Sequence, residues 1–298
     1  MTFTSREVSD AAGIPLADAR RLWRALGFPD AGDDAAFTDE DVRALSLVGR
    51  LLTDDVVDLD TVLRLTRAFG RTMSRLADWQ VSTLARSRDE QAAAMQSGAA
   101  FEQLLVYAWR RHVEAALARL DSHGAVDAEQ LAAGQTVGFA DLVGFTSLSN
   151  GLDDAALAAL VEDFESRCGD LVTARGGRVV KTLGDSVLFV ADDATVGTEI
   201  ALAVVEIIGS DLDLPDVRVG IATGQVVMRL GDVYGAPVNL AARLTTVARR
   251  NRVIADAATV AELPDGTFEA RVLPARPMHG FGEVEPITVR RHWSVDDG

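Results

Sequence analysis

Apolar residues in the first 120 positions recur three or four residues apart, which is the spacing of amphipathic helices. Two short helices are predicted over Ser5–Ala12 and Leu16–Leu26, separated by a turn at Gly13-Ile14-Pro15. Thr38 followed by Asp41 fits a capping box, so a third helix is predicted to begin there. This part of the chain therefore predicts an all-α domain.

Two longer helices complete this domain. Apolar positions with helical spacing run from Leu59 to Arg86 and again from Phe101 to Leu120. The residues that follow are small and polar, which is typical of a linker. We therefore predict a helical domain over 1–122, a linker over 123–134 and a second domain over 135–298.

The pattern changes at Thr136, where short β-rich runs alternate with helical segments. A tight hairpin is predicted at Gly184-Asp185, because such runs border this dipeptide on both sides. The order β-α-β-β-α-β is that of ferredoxin-like folds, so the second domain is assigned to the α+β class. Its predicted strands are Thr136–Leu142, Arg178–Leu183, Ser186–Ala191, Val217–Ile221 and Gln225–Met228, with short ones around Val253, Phe268 and Ile287; its helices are Asp153–Ala174, Ala194–Ile208 and Pro237–Ala248.

Charge narrows the classes of partner. With 29 basic and 45 acidic residues, the chain has a formal net charge of −16. Such a surface repels nucleic acids and acidic membranes unless a basic patch offsets it, and a polyanionic substrate would need metal ions to bind. No apolar run approaches the roughly 18 residues of a membrane span, and no signal core is present, so a cytoplasmic protein is expected. The single cysteine, Cys168, is interpreted as a packed residue of a helix.

Two carboxylates, Asp141 and Asp185, come at the ends of strands that this topology makes neighbours. Hard oxygen ligands without nearby histidine or cysteine favour Mg²⁺ or Mn²⁺, with phosphate oxygens completing the coordination shell. Gly144, Phe145 and Thr146 follow Asp141 and lead toward a helix, where backbone amides can cradle phosphates. Aspartate is also common in turns, so the pair alone does not identify a metal site.

Lys181 is the only lysine in the chain, and it lies four residues before Asp185 in an apolar strand. Lysine presents a compact ammonium where arginine presents a broad fork, so its retention predicts a pocket that excludes a guanidinium. A lysine donor with the carboxylate of Asp232 matches a ring nitrogen and the exocyclic amine of adenine, whereas guanine reverses this pattern. The alternative is a surface residue that remained lysine by chance.

Asn239 and Arg243 share one helical face, because they are four residues apart in a predicted helix. Together they offer donors for a ribose oxygen and a phosphate charge. Each taken alone has a simpler interpretation, an N-cap for Asn239 and a solvated side chain for Arg243.

These groups fall within four blocks: Phe139-Ala-Asp-Leu-Val-Gly-Phe-Thr146, Lys181-Thr-Leu-Gly-Asp185, Arg218-Val-Gly-Ile-Ala-Thr-Gly224 and Gly231-Asp-Val-Tyr-Gly-Ala-Pro-Val-Asn-Leu-Ala-Ala-Arg243. Their order and spacing resemble those of the class III adenylate cyclases over roughly residues 135–295. A diguanylate cyclase shares the core fold, but its hairpin would read Gly-Gly-Asp/Glu-Glu-Phe, unlike Leu183-Gly-Asp-Ser-Val187.

The resemblance implies an enzyme that converts ATP to cyclic AMP and pyrophosphate. Asp141 and Asp185 would hold two metal ions, either Mg²⁺ or Mn²⁺. Lys181 and Asp232 would select adenine, and Asn239 would orient the ribose.

The remaining family positions concern the phosphates and the partner subunit. Arg243 would stabilise the charged transition state, and Arg218 matches a position that contacts phosphate. Active sites of this family lie between two subunits, so one chain carrying the full set implies a homodimer. The family often has a phosphate-contacting lysine near the C-terminus. The matching stretch Pro277–Gly282 has none, so the alternatives are replacement by Arg276 or a lower affinity for the triphosphate.

The N-terminal blocks Phe3–Pro15, Leu22–Gly27 and Phe37–Val42 resemble a winged helix-turn-helix of the MerR kind. Residues 1–50 hold nine acidic and six basic side chains, which argues against DNA binding and favours a regulatory role. The layout also resembles mycobacterial pH-sensing adenylate cyclases, so an apolar small ligand or a proton is the expected regulator. His112 is the candidate titrating group; its alternative is a neutral core histidine.

Two other functions stay open. One is a transcription regulator with a nucleotide-sensing domain, whose duplex binding would fall steeply with salt. The other is a catalytically silent nucleotide-binding dimer, against which the intact set of six residues argues.

Overall fold

The computed structural model describes residues 2–29, 36–54, 57–84, 98–122, 132–229 and 231–292. The chain divides into two units, 1–115 and 116–298, so the division falls inside the last N-terminal helix. Of the predicted linker 123–134, the part up to 131 lies outside the described residues, and 132–134 already belong to a strand. The domain bounds 1–122 and 135–298 otherwise stay predictions.

The described part of the N-terminal unit is helical. Its elements are α1 (Ser5–Ala12), α2 (Leu16–Leu26), α3 (Asp39–Thr53), α4 (Leu59–Leu84) and α5 (Gly98–Ser122). The predicted capping box of Thr38 and Asp41 is present at the start of α3. A left-handed Gly13 ends α1, and Trp23 stacks on Phe37 with ring centroids 4.3 Å apart. The MerR-like assignment of these helices stays a prediction.

His112 is exposed on α5, so its interpretation as a core histidine is wrong. The apolar side chains of the same helix, among them Phe101, Leu104 and Leu105, are exposed as well. No helix in the described part of the chain is long and apolar enough to cross a membrane.

A mixed β-sheet with helices on both faces forms the second unit. Its elements are β1 (Ala132–Leu142), α6 (Phe145–Ser149), α7 (Asp154–Ala174), β2 (Arg178–Thr182), β3 (Ser186–Ala191), α8 (Ala194–Ile207), β4 (Val217–Arg229), β5 (Asp232–Tyr234), α9 (Ala236–Val247), β6 (Arg252–Ala255), α10 (Ala257–Ala261), β7 (Phe268–Val272), β8 (Arg276–Met278), β9 (Gly282–Val284) and β10 (Ile287–Arg291). The strands run in the order β2-β3-β1-β4-β6-β10-β7, and β5 pairs with β4. The order β2-β3-β1-β4 confirms the predicted α+β core.

One strand prediction is wrong. Val217–Ile221 and Gln225–Met228 were expected to be separate strands, but both belong to β4. The ladder between β1 and β4 runs without a break from Leu142↔Val217 to Ala132↔Val227, so tertiary pairing overrides the weak local signal of Gly224. Thr223 stays buried in this strand, because its hydroxyl exchanges hydrogen bonds of 2.8 Å with Thr136 and Thr259.

Two hydrophobic clusters hold the helices to the sheet. α7 and α8 cover one face, where Phe164, Phe189 and Ile200 are fully buried. α9 covers the other face and comes close to β4 at Gly220, where an added Cβ would lie 2.3 Å from the backbone nitrogen of Thr245. That glycine therefore allows the close packing that positions α9.

Cys168 belongs to the first cluster and is fully buried. Burial, with a smaller effect of the charge of Glu165, raises the pKa of the thiol to about 12. The interpretation as a packed residue is confirmed.

Candidate active site

Strand alternation brings Asp141, Ser186 and Arg218 to one face of the sheet. Asp141 is the direct partner of Ser186 on β3 and of Arg218 on β4. Val137 lies four residues before Asp141 in β1, and Leu188 lies two residues after Ser186 in β3, so each points to the same face as its site residue. Both pack in the cluster under α9, so the site lies on the face that carries that helix. The register of three strands therefore builds the centre of the site.

Asp185 joins this centre through the tight turn between β2 and β3. Gly184 takes the left-handed conformation with φ of 69°, which a two-residue turn requires. The carbonyl of Asp185 accepts a 3.0 Å hydrogen bond from the amide of Leu142, next to Asp141. Burial, and then the nearby charge of Asp141, raise the pKa of the Asp185 carboxyl. The predicted convergence of the two carboxylates is confirmed.

These two carboxylates fit a divalent cation. Both offer hard oxygen donors, and in the described part of the chain no group of three or more histidine, cysteine or acidic residues forms a closed metal cluster. The raised pKa of Asp185 reflects a carboxylate that is partly buried beside a like charge. A bound cation would offset both the burial of the Asp185 charge and its repulsion from Asp141. Two carboxylates do not fill the coordination shell of such a cation, so positions would remain for substrate oxygens.

Arg218 is paired with Asp141 rather than pointing to open solvent. Its Nε and Nη2 lie 2.8 and 2.6 Å from Oδ2 of Asp141. The other oxygen, Oδ1, accepts a 2.5 Å hydrogen bond from the hydroxyl of Ser186. Both oxygens of this carboxylate are therefore engaged.

Lys181 and Asp232 form the second group. The Nζ atom of Lys181 lies 2.6 Å from Oδ2 of Asp232, and both side chains are about one-third exposed or less. Burial alone would raise the pKa of Asp232, but hydrogen bonds from Lys181 and the amide of Val233, with the charge of Lys181, lower it overall. Lys181 is therefore a paired residue of a half-enclosed site, and Asp232 is held in its ionised form.

Asn239 and Arg243 lie on the exposed face of α9, while Ala241 and Leu244 pack toward the sheet. The N-cap of α9 is Gly235, so the interpretation of Asn239 as an N-cap is wrong. The structure gives the side chains of Asn239 and Arg243 no hydrogen bond or ion pair with any described residue. Both remain available to a ligand.

The phosphate-binding candidates differ in what they can offer. Phe145 packs its ring against the core, and Thr146 is exposed, so the amides of the first turn of α6 are their common contribution. Arg276 is exposed at the start of β8, in a hairpin that pairs it with Val284.

Two site residues were not predicted from the sequence. Ser186 donates a hydrogen bond to Asp141, and the Tyr234 side chain, near Asp232, contributes slightly to the lowered pKa of that carboxyl. Strand alternation could have indicated Tyr234, because residues i and i+2 of a strand share a face. No signal in the sequence indicated Ser186, since its contact depends on the register of β1 and β3.

Comparison with known proteins decides the family. Residues 129–289 match the adenylate and guanylate cyclase catalytic domain. The chain is 36% identical to an adenylate cyclase of Streptomyces coelicolor, with 97% of this chain and 86% of that protein aligned. The chain belongs to the class III adenylate cyclase family.

More distant relatives match the same cyclase layout. The pH-sensitive adenylate cyclase of Mycobacterium tuberculosis is 29% identical over 97% of this chain and 78% of its own length. The catalytic core of a rhodopsin-guanylyl cyclase with converted specificity, solved with ATPαS, has a TM-score of 0.51 at 22% identity. It covers 54% of this chain and 97% of that one, and shows the shared fold alone. The comparisons do not favour a transcription regulator or a silent nucleotide-binding dimer.

Proposed function

We propose that this cyclase converts ATP to 3′,5′-cyclic AMP and pyrophosphate at sites shared by two copies of the chain. The observation that carries the proposal is the Lys181–Asp232 pair. An ammonium with unused N–H donors beside an ionised carboxylate suits the ring nitrogen and the exocyclic amine of adenine. Guanine would present an amide N–H to the ammonium and a carbonyl to the carboxylate, which leaves both protein groups unpaired.

The remaining residues take their roles around this pair. Asp141 and Asp185 would hold two Mg²⁺ or Mn²⁺ ions, which when bound lower the pKa of the ribose 3′-hydroxyl and neutralise the pyrophosphate. Asn239 orients the ribose, and Arg243 meets the charge that develops as the 3′-oxygen attacks the α-phosphorus. The amides of Phe145 and Thr146 face the phosphates.

The dimer follows from the same arrangement. The side chains of Asn239 and Arg243, on α9, lack partners among the described residues, while Asp141 lies at the end of β1 and Asp185 in the turn between β2 and β3. All residues of β2, which carries Lys181, are half-buried, so part of the surface of this strand is accessible to a second subunit. We infer that metal ligands of one subunit face the base- and ribose-binding residues of the other.

A direct assay tests this proposal. The full chain, given ATP with Mn²⁺ or Mg²⁺, is expected to form cyclic AMP, and to form cyclic GMP from GTP far more slowly. Chromatographic separation of the products measures both. Absence of cyclic AMP with either metal, or equal use of GTP, would contradict the proposal.

For the N-terminal unit we propose regulation by an apolar small ligand. A cavity of about 380 Å³ lies between α2, α3 and α4, with Trp23, Leu45 and Phe69 in its wall. Of the described side chains that line it, Asp41 is the charged one, and its carboxylate is held in the capping box. A neutral apolar molecule therefore suits the cavity better than an anion.

Filling the cavity tests this role. Thr66 lines the cavity outside the catalytic unit, so Thr66→Trp is expected to fill the cavity without replacing any catalytic residue. Decanol, as a neutral apolar probe, is expected to change the rate of the unmodified enzyme and to have no effect on the variant. An equal response of both proteins would contradict the assignment.

A further inference from the structure

Both carboxylate oxygens of Asp141 accept hydrogen bonds from protein groups. Arg218 directs two N–H donors to one carboxylate oxygen at 2.8 and 2.6 Å, and Ser186 directs its hydroxyl to the other at 2.5 Å. The Asp141 side chain is 14% exposed and that of Arg218 is 28% exposed, so water screens this pair only partly. Each carboxylate oxygen has two lone pairs, and Arg218 uses both on its oxygen.

The backbone fixes this ion pair. Asp141 and Arg218 are direct cross-strand partners in the long antiparallel ladder of β1 and β4. Such partners have Cβ atoms about 5 Å apart, which keeps their side chains together. A third nitrogen of Arg218, Nη1, lies 3.4 Å from the carbonyl of Thr246, in the last turn of α9. The negative end of that helix favours the guanidinium there.

Arg218 supplies beside Asp141 the positive charge that a bound cation would supply. Its charge lies beside two carboxylates that otherwise repel each other, and its presence acts to lower the pKa of Asp185. A divalent ion that binds Asp141 through Oδ2 needs a lone pair that the guanidinium uses. It would also place two positive charges within a few ångströms, so the two cations cannot occupy this oxygen together.

We propose that Arg218 is an internal counter-ion of the metal site, which competes with the divalent cation for Asp141 and is released to the substrate phosphates when metal and nucleotide bind together. The release to phosphate rests on the proposed cyclase function, whereas the competition for Asp141 does not. Since binding couplings are reciprocal, phosphate that attracts Arg218 strengthens metal binding, and metal strengthens nucleotide binding.

Manganese titrations of the full chain, followed by electron paramagnetic resonance, test the competition. Without nucleotide, Arg218→Gln is expected to bind Mn²⁺ at least about tenfold more tightly than the unmodified protein. Adding 3′-deoxy-ATP, which lacks the attacking hydroxyl, is expected to tighten Mn²⁺ binding strongly in the unmodified protein and weakly in the variant. Equal or weaker Mn²⁺ binding by Arg218→Gln would overturn the proposal.

Three further variants make the result specific. Arg250→Gln removes an arginine from another Arg–Asp pair of this unit, 3.1 Å from Asp216, and is expected to leave Mn²⁺ binding unchanged. Asp141→Asn is expected to lose the binding. If thermal unfolding shows that Arg218→Gln is not folded, Arg218→Lys provides the same comparison. Lysine cannot form the two-pronged contact of arginine, so a smaller gain in Mn²⁺ affinity is expected. If Arg218→Gln binds Mn²⁺ more tightly but the unmodified protein forms no cyclic AMP, the competition is supported and the cyclase function is rejected. If the unmodified protein forms cyclic AMP but Arg218→Gln binds Mn²⁺ no more tightly, the competition is rejected and the cyclase function is supported.

Discussion

Replacing Asp141 or Asp185 with alanine is expected to reduce cyclic AMP formation by roughly 100-fold to 1,000-fold, the size of effect seen when one electrostatic contributor to a transition state is removed. Each change deletes one of two carboxylates that the tight turn and the first strand bring together. The fold should persist, because neither side chain belongs to a hydrophobic cluster. Initial rates with ATP and Mn²⁺, alongside thermal unfolding, measure both effects.

Mixing of inactive chains tests the shared site. An Asp141→Ala chain still supplies Arg243, and an Arg243→Ala chain still supplies Asp141. In a symmetric pair, their heterodimer has one intact site and one site with both changes, so random mixing should restore about a quarter of the full activity. No recovery in a sample proven to contain heterodimers would show that each site is built from one chain.

The sequence predicted the parts of this site that depend on local order. Asp185 follows from the tight Gly-Asp turn, and the common face of Asn239 and Arg243 follows from helical spacing. Both signals are short in range, because turn chemistry and the helical period act within a few residues. The roles assigned to these residues by family resemblance stay predictions until the variants are measured.

Contacts between strands that are distant in the sequence could not be predicted from the local pattern of residues. The ion pair of Arg218 with Asp141 depends on the register of β1 against β4, and a shift of one residue would move Arg218 to the other face. The same ladder joined the two strands predicted on either side of Gly224. β5 was missed because three residues are too few for an alternating pattern to be recognised. Asp232 was nevertheless identified, because it lies in the block Gly231–Arg243 that resembles the family, and its carboxylate matches the exocyclic amine of adenine.

Lys181→Arg is expected to lower kcat/KM for ATP by roughly 100-fold, although it conserves the charge. Lys181 makes one short contact with Asp232, at 2.6 Å, and leaves the carboxylate other lone pairs for the adenine amine. An arginine at this position would present a fork that matches a carboxylate bidentately and would occupy both oxygens. The amide of Val233 already uses Oδ1, so little would remain to accept from the base.

Steady-state kinetics with ATP and GTP distinguish this effect from general damage. Because the lost contacts read the base, the ratio of ATP to GTP use should fall, while thermal stability stays close to that of the unmodified enzyme. Arg249→Lys exchanges the same two side-chain types in the opposite direction at an exposed position and should change neither quantity. Near-normal kcat/KM for ATP in Lys181→Arg would mean that the only lysine of this cyclase does not contact the base, and adenine selection would then have to depend on Asp232 with other groups.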